Sequence, residues 1–207
     1  RDLEHFMDQV VSKLGFKENY LLAHSMGAAA ALMLMAERAE LFDKAVVSSP
    51  MLKPNTGKFK PNLALAYATA LRLIGKGDEY APGEKGYETP VFEGNQVTGS
   101  RARRSMAIHF YEEYDEFKMG GVTVDWVATS IGTNNRFTFK YKKIKTPLLI
   151  FQAGLDTIVY TDRHDKLCKK AKDCTLVKYP TGKHELLMEV DTIRDDLLSK
   201  AIDFYSK

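Results

Sequence analysis

Apolar residues recur at Leu3, Phe6, Met7, Val10, Val11 and Leu14, a spacing of three and four that predicts a helix over 2–14 with one buried stripe. Gly15 stops it. Residues 19–23 then read as a short buried strand, and 26–40 as a helix rich in Ala, Leu and Met. KAVVSS at 44–49 is a second strand, ended by Pro50. PLLIFQ at 147–152 is a third buried strand, followed by a polar helix over 162–172. CTLVKY at 174–179 is a fourth strand, and 193–205 is a closing amphipathic helix. The intervening stretch, 51–145, has a different character. It holds turns such as Ala81-Pro82-Gly83, helical patches at 62–73 and 101–117, and most of the aromatic residues.

Strands that alternate with helices predict an α/β fold, with a mostly parallel sheet flanked by helices. The apolar strands lack a period of two, as expected for burial on both faces. A core of 1–50 and 146–207 is therefore expected, with 51–145 as an inserted cap or lid. A length of 207 residues suffices for one sizeable core. The net charge of +3, with no basic stripe interleaved with stacking aromatics, points away from nucleic acid. No apolar run has the length of a membrane span. Cys168 and Cys174 have no neighbouring His or Cys to complete a zinc set; a disulfide and two free thiols both remain open. No metal or organic cofactor is implied. The chain starts at Arg1 in what reads as mid-protein, so upstream residues, and partner strands with them, are expected.

Functional groups of a parallel sheet collect at the C-terminal ends of its strands. Ser25 follows the first strand, Asp156 the third and His184 the fourth. Ser, Asp, His is the chain order of a hydrolase triad. A serine hydroxyl needs a base to become a nucleophile, which His184 would supply. Asp156 would fix the imidazole tautomer, and the backbone N–H of Met26 would face the oxyanion. Ala23 and Gly27, two residues either side of the serine, are small as a sharp strand-to-helix turn requires, and Ala28, Ala29 and Ala30 would let the helix lie close to the sheet. Each residue alone has an ordinary reading as a turn, cap or packing group; three in one order, each after its own strand, favour catalysis. His24 is expected to point away from the catalytic face. His5, His109 and His164 read as surface or packing residues, and Asp162, the reserve acid, reads as a helix cap.

Several segments resemble the lysophospholipase L2 family, bacterial α/β-hydrolases close to the monoacylglycerol lipases. AHSMG at Ala23 is similar to the family elbow, and VVSSPML at Val46 to the segment where the cap begins. NQVTGSRARR at Asn95 and GGVTVDWVATSI at Gly120 resemble its cap motifs; FQAGLDTIV and GKHELLMEVD resemble its acid and base loops. The resemblance implies cleavage of the single acyl ester of a lysophospholipid in a bacterial protein, either cytoplasmic or peripheral at the inner membrane. It gives Ser25, Asp156 and His184 the triad roles. It also implies strands upstream of the elbow that this chain lacks, so pairing with a missing N-terminal segment is expected.

An apolar slot for one acyl chain has candidates in Leu63, Leu65, Tyr67, Leu71, Leu73, Ile108, Phe110 and Trp126, whose plainer reading is the cap's own core. Arg101, Arg103 and Arg104 are candidates for a phosphate; with the basic run at 140–145 they alternatively suit peripheral contact with anionic lipid. A monoacylglycerol lipase or general carboxylesterase is the near alternative. A non-catalytic binding module on a truncated hydrolase scaffold is the alternative of another class.

Overall fold

The computed structural model describes residues 2–207. Four parallel strands, β1 (Tyr20–His24), β2 (Lys44–Ser48), β3 (Leu148–Ala153) and β4 (Cys174–Tyr179), form one sheet in that spatial order. Helix α1 (Asp2–Gln9) precedes β1, and α2 (Ser25–Met35) joins β1 to β2. Helices α3 (Pro61–Leu73), α4 (Arg101–Glu113) and α5 (Val124–Phe137) lie between β2 and β3. Helix α6 (Asp162–Cys168) joins β3 to β4, and α7 (Asp191–Ser206) follows β4.

Successive side chains of β2 and β3 divide between two cores. Ala45, Val47, Leu148 and Ile150 pack with Ala28, Leu32 and Met35 of α2 and Leu167 of α6. Val46, Leu149 and Phe151 pack on Ile193, Leu197 and Ala201 of α7. Both faces of β3 are therefore buried throughout, which is why its sequence shows no alternation.

Three expectations are corrected here. The first strand is half-exposed, not buried: it is an edge of the described sheet, with Tyr20 and Leu22 facing outward. Its outer groups are tied down by α7, where Tyr20 stacks on Tyr205 and the Tyr205 hydroxyl donates to the Leu21 carbonyl at 2.6 Å. The helix expected over 2–14 breaks at Val10 and continues as a 3₁₀ turn. Helix α5 was not legible as a helix; it is capped by Thr123, whose hydroxyl accepts the Trp126 N–H, and it packs Val124 and Ala128 on Ala68 of α3.

Cys168 and Cys174 form a disulfide that ties the end of α6 to the first residue of β4. Among the described residues no helix is long and apolar enough to cross a membrane.

His164 of α6 is fully buried. Its Nε2 lies 2.7 Å from the Pro50 carbonyl, which can only accept, so Nε2 carries the proton. Its Nδ1 faces the Gln152 amide nitrogen at 3.4 Å. Burial pushes this imidazole below its ordinary value, against the Pro50 bond. A depressed histidine contributes stability that is complete above its unfolded value and is lost as pH falls toward its folded one. The thermal midpoint should therefore drop as pH falls below about 6.5, before ordinary carboxylates begin to protonate. The drop should be smaller in His164→Gln, measured by thermal unfolding across that range; an equal drop in the variant would show that His164 does not contribute.

Candidate active site

The chain turns from β1 into α2 at one residue. His24 is extended, with φ −127° and ψ 145°, and Ser25 then takes φ +49°. A left-handed conformation at a residue other than glycine costs on the order of 1 kcal/mol and survives only where its surroundings impose it. Here the Met51 N–H donates to the Ser25 carbonyl at 3.0 Å, from the turn after β2. The helix is drawn onto the sheet through Ala28, Ala29 and Ala31, which are buried. Ala30 is exposed, which corrects the expectation that it faces the sheet. A Cβ added at Gly27 would meet no atom within 4 Å among the described residues, so nothing described here requires its smallness.

Asp156 sits in the loop after β3. One carboxylate oxygen accepts the N–H groups of Ile158 and Val159, both at 2.9 Å. The other lies 2.7 Å from His184 Nδ1. Both side chains are almost sealed from solvent, at 0% and 5% exposure, so the pair acts in a low-dielectric setting. Burial pushes the Asp156 carboxyl up, but the hydrogen bond and charge of His184, with the two loop amides, outweigh it and hold it below its ordinary value. A carboxylate accepts only, so in the neutral imidazole the proton is on Nδ1. The lone pair on Nε2 then faces Ser25 Oγ, 2.9 Å away.

Close approach of the two loops sets this geometry. The Gly154 N–H donates to the Tyr179 carbonyl at 2.8 Å and the Leu155 N–H to the Gly182 carbonyl at 2.9 Å. A Cβ at Gly154 would lie 2.6 Å from Pro180 Cα, so the acid loop can meet the base loop only through a residue without a side chain.

The remaining candidates fall differently. Met26 stands in the first turn of α2, where backbone N–H groups lack helical partners, and its side chain is exposed. His24 points toward the site, contrary to expectation: its ring lies edge-on to His184 at 4.9 Å between centroids. Burial, then the neighbouring His184, lowers its pKa to about 4, so it is neutral at pH 7. Arg101 pairs with Glu93 at 2.7 Å and lies over the Phe92 ring. Arg104 buries its Nε with no partner among the described residues. Trp126 lines a cavity of about 750 Å³ with Leu63, Tyr67 and Leu71; Arg101 and Arg104 are not among its walls. Leu73 is 82% exposed and lines nothing there. Asp162 is not a cap: Thr161 precedes the helix, and Asp162 pairs with Lys53 and Lys166. Glu189 is buried beside the base loop and was passed over in the sequence; the available signal was a carboxylate inside the apolar run LLMEV.

Comparison with known proteins places the chain in a family and a fold. The chain is 28% identical over 207 residues to a protein of Haemophilus influenzae named probable lysophospholipase L2, covering 98% of this chain and 64% of that one. It is 27% identical to lysophospholipase L2 of Escherichia coli K12, with 100% of this chain and 63% of that one covered. The chain thus spans a little under two thirds of these curated relatives. Among solved structures, a monoacylglycerol lipase of Paleococcus ferrophilus superposes with a TM-score of 0.71 at 19% identity, covering 98% of this chain and 75% of that one. A carboxyl esterase of Bacillus coagulans superposes with a TM-score of 0.74 at 15% identity, covering 99% and 70%. These likenesses show the α/β-hydrolase fold. The model of the Hydrolase_4 family, described as serine aminopeptidase, S33, matches residues 1–191, and on that match the chain belongs to the Hydrolase_4 family.

Proposed function

We propose that this chain carries the catalytic residues of a serine ester hydrolase that removes the single acyl chain of a lysophospholipid. The observation that carries the reading is the continuous hydrogen-bonded chain from Ser25 Oγ through His184 to Asp156. His184 Nε2 takes the hydroxyl proton as Oγ attacks the ester carbonyl. Asp156 offsets the positive charge that develops on the ring. The oxyanion of the tetrahedral intermediate is met by the Met26 N–H. Collapse of that intermediate breaks the ester bond; His184 returns its proton to the departing glycerol oxygen, leaving the acyl group on Ser25. Water, deprotonated by His184, then attacks the acyl-serine; as that second intermediate collapses, His184 returns the proton to Ser25 Oγ and the fatty acid leaves. The strained φ of Ser25 supports this assignment, since it turns the hydroxyl out at the head of α2.

The cavity supports a lipid substrate. Its walls are mainly apolar, including Leu63, Tyr67, Leu71, Trp126 and Ile131. Its rim borders the acid loop: the Asn55 N–H donates to the Ile158 carbonyl at 2.9 Å, and the Asn55 side chain to the Thr157 carbonyl at 2.8 Å. We assign 51–145 as a cap carrying this slot over a core formed by 1–50 and 146–207. The names of the relatives supply the headgroup class. Monoacylglycerol cleavage is the alternative with the same machinery.

Ser25→Ala should abolish ester hydrolysis and labelling by a fluorophosphonate probe, read in the full-length protein. Asp156→Asn should leave the fold intact yet lower kcat by about 10⁴-fold, because the imidazole would present the wrong tautomer. Ester hydrolysis that survives in Ser25→Ala would overturn the reading.

A panel of lysophosphatidylcholine, monoacylglycerol, a short soluble ester and an aminoacyl amide should show preference for the first. Indifference to the headgroup would remove the phospholipid assignment, and preference for the amide would favour a peptidase. Trp126→Ala should raise KM for the long-chain lipid about tenfold while leaving the short ester unchanged, because only the long chain reaches the apolar wall.

A further inference from the structure

The triad's base is held by a loop whose regular structure is one 3₁₀ turn, Leu186–Met188, yet its backbone is tightly specified. The two amides flanking His184 both have protein partners. The Glu185 N–H donates to the Val97 carbonyl at 2.8 Å. The Lys183 N–H donates to the Glu189 carboxylate at 3.0 Å. Glu189 is 2% exposed, which is unusual for a carboxylate unless other groups serve it. It also accepts the Gly99 N–H at 2.9 Å on the same oxygen and the Val190 N–H at 3.0 Å on the other. Its own carbonyl accepts Arg103 Nη1 at 2.6 Å.

The partner segment, Asn95 to Ser100, comes from the stretch between β2 and β3, and it touches both catalytic loops. Asn95 Oδ1 folds the segment by accepting the Val97 and Thr98 N–H groups at 3.1 and 3.0 Å. The Asn95 carbonyl accepts Lys183 Nζ at 2.8 Å. The Thr98 hydroxyl donates to the Met188 carbonyl at 2.6 Å. Next to the acid, the Thr157 hydroxyl bonds the Gln96 side chain at 3.0 Å.

We infer that Glu189 is a positioning residue: with the 95–100 segment it fixes the backbone on either side of His184, so that one ring nitrogen meets Asp156 and the other Ser25. The inference rests on the reading of Ser25, His184 and Asp156 as a triad. It assigns Asn95 and Thr98 of NQVTGSRARR to holding the base loop, while Ser100 caps α4 by accepting the Arg103 N–H. It also gives Gly99 a reason. A Cβ there would sit 3.0 Å from the Glu189 carboxylate oxygen that accepts the Val190 N–H, tight enough that the carboxylate would have to shift by a few tenths of an ångström. Acting through geometry, Glu189 should affect the chemical step and not substrate capture, since a displacement of the base of about 1 Å costs on the order of a hundredfold in rate.

The test is steady-state kinetics on a long-chain lysophospholipid in the full-length protein, with thermal unfolding of each variant. Glu189→Leu should lower kcat about a hundredfold with KM within about twofold. Glu189→Gln, which keeps one accepting oxygen for Lys183, should recover part of that loss. Gly99→Ala, which keeps the glutamate but crowds its carboxylate, should lower kcat in the same direction. The downfield proton resonance of His184 Nδ1–H should shift in each variant, which a loss of stability alone would not produce. A folded Glu189→Gln with wild-type kcat and an unmoved resonance would overturn the inference, as would a loss carried by KM. If Glu189→Leu does not fold, Gly99→Ala decides: reduced kcat supports the inference and wild-type kcat overturns it. Ser25→Ala is the companion control. Activity surviving in it would overturn the triad reading, whereas an inactive Ser25→Ala beside a wild-type Glu189→Gln would overturn the positioning role alone.

Discussion

The pairing of β3 with β4 is the constraint on which the site depends. Parallel register places Ala153 opposite Tyr179, and the ladder then runs one residue further through the Gly154 N–H. The two strands therefore end together, and the loops that leave them are in contact from their first residues. Had β4 slipped by one position, His184 would leave the reach of Asp156 and every side chain of the strand would change face. A one-residue slip of β4 would also exchange its own faces, which now place Cys174 and Leu176 on one core and Val177 and Tyr179 on the other.

The polar groups at this edge share a pattern. Asp156, His164 and Glu189 are each removed from water and each held by backbone groups rather than by mobile side chains alone. Backbone donors are fixed by the fold, so a carboxylate that accepts them needs little reorganisation when charge develops nearby. The cost of this arrangement is that any one lost acceptor leaves a buried N–H unpaired.

How far the sequence exposes all this varies with the kind of signal. The strands were legible because PLLIFQ and CTLVKY are short apolar runs bounded by turns. The serine turn was legible from the change between an apolar run and a string of alanines. Apolar content alone does not distinguish an edge strand from a central one; the open edge at 19–23 followed instead from the expected missing partner strands, and the exposure of Tyr20 and Leu22 agrees with it. Helix α5 was hidden because VDWVATSIGTNNRF is rich in β-branched residues, Asn and Gly, and depends on packing against α3. The facing of His24 toward His184 depends on the torsion at Ser25, and the pairing of Cys168 with Cys174 on where α6 stops. Glu189 was the least legible, because its partners at Gly99 and Lys183 come from distant and local chain alike and leave no periodic mark.

The distribution of helices over the two faces has a consequence for how the chain is made. One face of the sheet is covered by helices that alternate with the strands, so it can close piece by piece as the polypeptide emerges. The other is covered, among the described residues, by α7, which follows all four strands in chain order. Among the described residues, Val46, Leu149 and Phe151 gain their helical cover only with α7. Between the emergence of β3 and that of α7 the nascent sheet thus presents an apolar surface, a state prone to aggregation.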